Sequence, residues 1–469
     1  MKILQLGDVK VKPLQVFEVL FKDRPYPFLL ESGIHNEQYG RYSIMGADPF
    51  LRFKSKGRSV EIFEKGRKTR IRSNPFTVLK DLFKEHSRNV RPACRRGRRS
   101  TFDGSLPFTC GAVGYFSYDM GRHIERLPSI AEDDLNLPDC FLCFYRGGVV
   151  FDHTQKKVYA VGPRAEALGS SLKGFKGSVA ARYNFKKCPG GPKPQKIHSN
   201  FTKARYIDTI KKAKEHITRG DIYQVNLSQR FQTPVSMHPF ELYRTLSSIN
   251  PAPFSAYLNY GDFSIVSSSP ERFLLADNGM VQTRPIKGTR SRGATAAEDK
   301  RLAGELLNSE KDAAELMMIV DLERNDLGRV CEYGSVKVTS LKKLERYSTV
   351  FHTVATARGR LYKGKDNIDL LKAAFPGGSI TGVPKIRAME IIEELEPTKR
   401  SVYTGSIGYM DFSGRMDINI AIRTFILKKG TAYFQVGGGI VADSDPRSEY
   451  QETLDKAKAL IEAVTSQQS

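Results

Sequence analysis

Apolar residues recur at helical spacing just after residue 200. Ile207, Ile210, Ala213 and Ile217 fall on one face of residues 201–220, and Gly220 supplies a C-terminal stop. The same pattern predicts helices over residues 75–86 and 448–465. Residues 28–33 and 41–46 read as strands running into turns, and residues 138–162 as a hairpin turning at Asp152-His-Thr-Gln155. Residues 107–122 mix small and aromatic side chains as a close-packed strand followed by a helix does. After Gly220 the chain reads as a half-buried strand to Phe231. Cys188-Pro-Gly-Gly-Pro-Lys-Pro194 breaks both periods and is the best linker. Strands and helices mix on both sides of it, which points to an α/β protein, and no repeat appears at periods of roughly 20 to 50 residues.

Composition narrows the class. At 469 residues the chain can bury a substantial core in one large unit or two. It lacks the run of about 18 apolar residues that a membrane span needs, and its first eight positions lack a signal peptide's apolar stretch. The expectation is a cytoplasmic protein with no membrane span. The formal charge is +23, and residues 1–205 hold 38 Lys and Arg against 19 Asp and Glu, so the basic excess lies in the first part. It peaks in Arg88–Arg99, within a basic loop over residues 84–104. Such a run binds nucleic acid or is simply a solvated loop; with no nucleic-acid motif and no interleaved aromatics, the loop is favoured. An anionic substrate gains from the positive field either way. Cys140-Phe-Leu-Cys143 has the spacing of a zinc or redox pair. Its apolar setting and the lack of a second pair point instead to two packed thiols in a strand.

Candidate chemistry gathers in a few stretches. In Val281-Gln-Thr-Arg-Pro-Ile-Lys-Gly-Thr-Arg-Ser-Arg-Gly293, Lys287 follows a β-prone run, with Arg284, Arg290 and Arg292 close in sequence. Neighbouring positive charge and partial burial both disfavour the ammonium form and would free an amine for attack; a solvated basic loop is the plain alternative. Ser267-Ser-Ser-Pro-Glu-Arg-Phe273 puts Glu271 at a strand-edge turn, suited to general acid work if desolvated and to a surface ion pair if not. Glu315 precedes an apolar run in a helical segment over residues 310–326. In the last helix Glu449 and Glu452 share a face, with Lys456 one turn beyond Glu452. These carboxylates suit a hard cation or two ordinary charged helix faces. Pro376–Pro384 and Gln435–Val441 read as glycine-rich turns whose N–H groups can cradle a carboxylate, or as turns that need glycine for conformation alone.

In this order, the motifs resemble the chorismate-utilising enzymes, strongly over residues 200–460 and more weakly over 1–180. The Pro285-Ile-Lys-Gly-Thr289 form is that of the family's aminodeoxychorismate synthase component I branch. The resemblance implies an α/β (α+β) fold of two face-to-face, mainly antiparallel sheets flanked by helices, like anthranilate synthase component I. It implies an N-terminal region over 1–185 and a chorismate-binding catalytic domain over 199–465. Lys287 would attack ring C2, and Glu271 would protonate the departing C4 hydroxyl. Mg²⁺ would be held directly by Glu315 and Glu452, with Glu449 close by. Substrate-binding positions carried over are Tyr403, Arg423, Gly378, Ser379, Thr381, Gly437, Gly438, Gly439, Lys456, His352 and Gln224. Gln224 stands where isochorismate- and salicylate-forming members carry a lysine that activates water, and a glutamine is no general base. Leu30, Glu31 and Ser32 resemble a stretch that forms a tryptophan pocket in some members. Ser291 departs from the proline usual after Gly-Thr-Arg.

The activity so implied converts chorismate and ammonia to 4-amino-4-deoxychorismate, the precursor of 4-aminobenzoate and folate. Nothing in the chain resembles a glutamine-hydrolysing domain, so ammonia is expected from a separate glutamine amidotransferase subunit. The second expectation is anthranilate synthase component I, whose members carry alanine in place of Lys287. A third, from a different class, is a basic nucleic-acid-binding protein that kept the fold; it predicts loss of Glu315, Glu449 and Glu452, which are all present.

Overall fold

In the central strands residues are buried on both faces, so neighbours along one strand serve different cores. Phe28 and Leu29, adjacent on the strand Phe28–Glu31, are both buried, one in the cluster between two sheets and the other in the cluster beneath the helices. The computed structural model describes residues 2–6, 11–34, 39–89, 106–174, 197–347 and 350–465. Its strands form two 12-stranded sheets in which every strand pairing is antiparallel. They face each other across a shared core that takes Phe28, Val150 and Ile265 from one sheet and Val113, Phe141 and Ile407 from the other. Helices cover the outer faces: Pro13–Leu20, Pro239–Ile249 and Pro446–Thr465 on the first sheet, Pro75–Asn89 and Asn367–Ala374 on the second. This is the expected pair of facing sheets flanked by helices.

Each sheet is shared by both parts of the chain. In the first, Phe28–Glu31 pairs with Phe254–Asn259; in the second, Gly111–Phe116 pairs with Ser406–Asp411. The linker Cys188–Pro194 and most of the basic run Arg88–Arg99 lie outside the described residues. The expected hairpin over 138–162 is smaller than the apolar run suggested. Gly148–Asp152 pairs with Lys157–Val161 in the first sheet, whereas Cys140–Tyr145 belongs to the second. An apolar run records burial but not which sheet provides it. Cys140 and Cys143 are free, buried thiols three positions apart in a strand, hence on opposite faces and in different cores, where they cannot share a metal. Among the described residues no helix is long and apolar enough to cross a membrane.

Candidate active site

The candidate residues gather where the chain steps from one sheet to the other. Glu271 lies in the two-residue link between Phe263–Ser269 of the first sheet and Arg272–Asp277 of the second. Arg423 lies in the return link between Met416–Asn419 and Thr424–Lys428. It is held at φ +50°, an uncommon conformation for a residue with a side chain. Lys287 stands on the edge strand Ile286–Ser291 opposite Thr353, whose hydroxyl donates to the Lys287 carbonyl. A bulge follows at Gly288 (φ +73°), where a Cβ would come within 2.8 Å of Leu306 and 3.0 Å of Asp312. His352 then pairs opposite Thr289.

Burial sets the chemistry of these groups. Glu271 is 5 % exposed, and desolvation pushes its carboxyl up to about 7 against the opposing pull of Ser379, Lys287 and the Ile286 N–H, which donates to Oε1 at 3.4 Å. Ser379 Oγ makes no well-formed hydrogen bond, though it lies close enough to that carboxyl to act on it. Lys287 is held below the ordinary lysine range by desolvation; Lys456 adds to this, and Glu315, Glu271 and Glu452 oppose it. The direction expected from the sequence holds, and so does burial as its cause; the three neighbouring arginines do not contribute. Arg284, Arg290 and Arg292 are turned away into ion pairs with Glu345, with Asp312 at 3.2 Å and with Asp299 at 2.7 Å. Desolvation, with Arg423 nearby, lowers His352 to about 3, so its ring is neutral. Its Nδ1 meets Thr289 Oγ1 at 2.9 Å, and its Nε2 is buried without a partner. Desolvation also lowers the Arg423 guanidinium, whose one side-chain hydrogen bond goes to Asn250 Oδ1 at 3.3 Å. Among the described residues no carboxylate pairs with it.

The opposite wall is built on glycine. Gly437–Gly439 belong to the strand Thr431–Ile440 rather than to a turn, opposite Ser228, Leu227 and Asn226. On their other edge the neighbouring strand pairs only Thr431–Phe434, which leaves that edge open. A Cβ on Gly438 would stand 3.4 Å from Glu449 Oε2, 3.7 Å from Glu452 Oε1 and 3.8 Å from Lys456 Nζ. A Cβ on Gly439 would collide with the Gln224 amide and lie 3.7 Å from Lys287 Nζ. The glycines therefore let the helix Pro446–Thr465 and the strand ends carrying Gln224 and Lys287 converge on one floor. Gln224 is 1 % exposed, with its Oε1 unpaired. Tyr403 is buried, its hydroxyl 3.0 Å from where a Gly437 Cβ would be. Gly378, in the turn Gly378–Ile380, and Thr381 just after it serve packing: a Gly378 Cβ would meet Leu322 at 2.7 Å, and Thr381 Oγ1 donates back to Gly377 O at 3.0 Å.

Glu315, Glu449 and Glu452 converge from the helices Glu310–Gly328 and Pro446–Thr465, each within electrostatic reach of Lys287 or of one another. Glu449 is raised by burial and then by Glu452, while Ser444 Oγ donates to it at 2.6 Å. Burial works to raise Glu452 too, but Lys456 at 2.6 Å, with Lys311 and Lys287, brings it net below the usual carboxylate range. Mutually repelling carboxylates beside an open glycine floor fit a hard cation. Among the described residues no three potential ligands close around one point, so an ion here would complete its shell with water and substrate oxygens.

One group was missed by the sequence argument. Glu323 is 5 % exposed and desolvation pushes it up to about 8. The signal was present: Leu316, Ile319, Val320, Glu323, Asp326 and Leu327 form one buried helical stripe, with two acids in core positions. Leu30 and Glu31 line a separate cavity of 330 Å³ together with Tyr39, Phe254, Arg272 and Asp417. Ser32 is buried beside it, its hydroxyl donating to Ile34 O at 2.6 Å.

Comparison with known proteins fits this geometry. The model of the family described as chorismate binding enzyme matches residues 30–462. An anthranilate synthase component 1 of Acetivibrio thermocellus is 40 % identical over 96 % of this chain and 92 % of its own. An aminodeoxychorismate synthase component 1 of Escherichia coli is 41 % identical over 93 % of each. The crystal structure of anthranilate synthase component I from Streptococcus pneumoniae superposes with a TM-score of 0.75 at 34 % identity, covering 98 % of this chain and 99 % of that one.

Proposed function

The chain belongs to the chorismate-binding enzymes, of the type shared by the anthranilate and aminodeoxychorismate synthase component I proteins, and from that premise we propose that it forms 4-amino-4-deoxychorismate from chorismate and ammonia. The observation that carries this reading is Lys287: an amine whose charge is suppressed by desolvation, on the same floor as an acid poised near neutrality. Glu271 protonates the C4 hydroxyl, which leaves as water while the Lys287 amine bonds to ring C2. Ammonia then bonds to C4 as the C2–N bond to Lys287 breaks. The proton shed by the new amino group returns to Glu271, so both residues end as they began. Arg423, lacking a carboxylate of its own, is available to a substrate carboxylate in bidentate geometry. The neutral His352 and Gln224 each offer an unpaired polar atom.

Mg²⁺, held by Glu315 and Glu452 with Glu449 beside them, would supply charge for a second substrate carboxylate. Ammonia comes, in this reading, from a separate glutamine amidotransferase subunit, and the enzyme works in the cytoplasm on the route to 4-aminobenzoate. The relatives named anthranilate synthase support a second reading, in which pyruvate is released and Lys287 is a bystander.

Incubation with chorismate, Mg²⁺ and ammonium, with product masses recorded, tests the reading. Peptide mass spectrometry should find a chorismate-derived adduct on Lys287 when ammonia is withheld. Lys287→Ala should lose the adduct and most of the rate, and Lys287→Arg should do no better, since guanidinium stays protonated. Anthranilate and pyruvate from the wild type, or an unchanged rate in Lys287→Ala, would overturn it.

A further inference from the structure

Beneath Glu271 lies a second buried carboxyl that the reaction above does not use. Thr283 Oγ1 donates to Glu323 Oε2 at 2.7 Å, from the strand Met280–Arg284 that continues through Pro285 to the Ile286 N–H on Glu271. On its other side, Glu323 Cγ lies 3.7 Å from where a Gly378 Cβ would be, and the next residue is Ser379, beside the Glu271 carboxyl. The two carboxyls are thus held by the same two segments of chain. We propose that Glu271 and Glu323 share a single negative charge, so that Glu323 is a positioning residue that keeps the general acid protonated on the alkaline side of neutrality.

The groups around the pair leave it short of cations. Lys385 is committed to Asp326 Oδ2 at 2.5 Å and to Ala374 O at 3.0 Å. Arg329, one turn on, donates to Ala373 O at 3.3 Å. Arg284 pairs with Glu345, and Arg272 forms two bonds of 2.9 Å to Asp417. Lys287 faces Glu271 alone of the two, with its own charge suppressed by burial. Burial, ionised Glu271 and Asp326 all disfavour a charge on Glu323, and the Thr283 bond and the more distant Lys385 only partly oppose them. When two acids repel in this way, one proton is divided between them over a range of pH. Part of the population then keeps Glu271 protonated, with the charge on Glu323, above the pH at which an isolated Glu271 would have ionised. The catalytic step is unchanged; its alkaline limit moves.

This rests on Glu271 being the general acid, and the test separates the two claims. Chorismate consumption, whichever product forms, is followed against pH at constant free ammonia. Glu323→Gln keeps the bond to Thr283 but cannot take the charge. Its kcat/KM at about pH 8.5, relative to about pH 6.5, should fall about threefold or more below the wild-type ratio, with the alkaline limb moved to lower pH. Superimposable profiles would overturn the proposal. The second measurement needs no turnover: the infrared carbonyl band of the protonated Glu323 carboxyl in substrate-free protein. In Glu271→Gln this band should disappear at lower pH than in the wild type, and a band unmoved by that substitution would overturn the sharing even if chorismate proves to be handled differently.

Discussion

Two neighbouring buried regions hold charge in opposite ways. At the Arg400–Glu396 pair, both side chains are under 5 % exposed and the polar atoms are richly partnered. Arg400 donates to Glu396 at 2.9 and 2.7 Å, to Ile380 O at 2.9 Å and to Asn226 O at 2.6 Å; Ser228 N and Oγ donate to Glu396 at 2.9 and 2.7 Å. Burial opposes the guanidinium's charge, yet Glu396 holds its pKa well above the ordinary value. One residue from Ile380, the opposite holds. Glu271 is pushed up and Lys287 down, while His352 Nε2 and Gln224 Oε1 have no partner among the described residues. Burial is common to both regions; the difference is whether the protein completes the polar shell. Where it does, the charge ties a turn to a strand; where it does not, the unfilled bonds mark the space a ligand would occupy.

The comparison breaks if Glu271 proves structural. Glu271→Gln should cut turnover about 10²- to 10⁴-fold, the usual contribution of general acid catalysis. Its effect on stability has the opposite sign. The native carboxyl holds its proton up to about 7 while the unfolded one releases it near its ordinary 4.5, so stability falls as pH rises between those values. That loss is complete above them and amounts to about 3 kcal/mol. Glu271→Gln should therefore unfold at higher urea than the wild type near pH 8 while being nearly inactive. A variant both inactive and destabilised would place Glu271 with the structural charges.

Arg400→Met is the converse. It leaves Glu396 buried without its cation and should cost about 3–5 kcal/mol of stability, read from urea unfolding. Activity per folded molecule should stay close to wild type. Severe loss of turnover in a fully folded Arg400→Met protein would erase the distinction.

How far this contrast was legible in the sequence depends on the residue. The helix Lys203–Thr218 could be found from periodicity, and the candidates Lys287 and Glu271 from the motifs that carry the family resemblance. Burial of Lys287 was also expected, but the source of the positive charge acting on it could not be read, because closeness in sequence is not closeness in space. A proline and a bulge turn its three neighbouring arginines toward Glu345, Asp312 and Asp299, and the positive charge that does act on it, Lys456, comes from the far end of the chain. That Glu315 and Glu452 would approach one point came only from the family resemblance; spacing could not give it, because their two helices are far apart in the chain and both reach Lys287 only in the folded sheets. Glu323 was legible in principle, as an acid at a core position of a helical stripe.

Glu31 falls between the two classes and gives the smallest and most discriminating effect. Burial pushes it up to about 7, as at Glu271, but it has one firm partner, Tyr243 OH at 2.7 Å, and it borders the 330 Å³ cavity. Stability that depends on its raised pKa is lost as pH climbs from its unfolded value toward 7, and the Tyr243 bond limits that loss by favouring the charged form. Tyr243→Phe removes this bond and should raise the Glu31 pKa further. It should cost about 1 kcal/mol near pH 6, where the acid is neutral, and up to about 3 kcal/mol near pH 8, where the bond is charge-assisted. Urea unfolding at the two pH values measures the difference, and chorismate turnover should be unaffected, because Tyr243 touches none of the groups on the glycine floor. Equal losses at both pH values would mean that Glu31 is already charged at the lower one. If the cavity accepts a small amino acid, as we propose for Leu30, Glu31 and Ser32, calorimetry with tryptophan should register heat in the wild type and weaker binding in Tyr243→Phe. No heat up to about millimolar tryptophan, a weak limit on the affinity scale, would leave Glu31 a structural acid held by Tyr243.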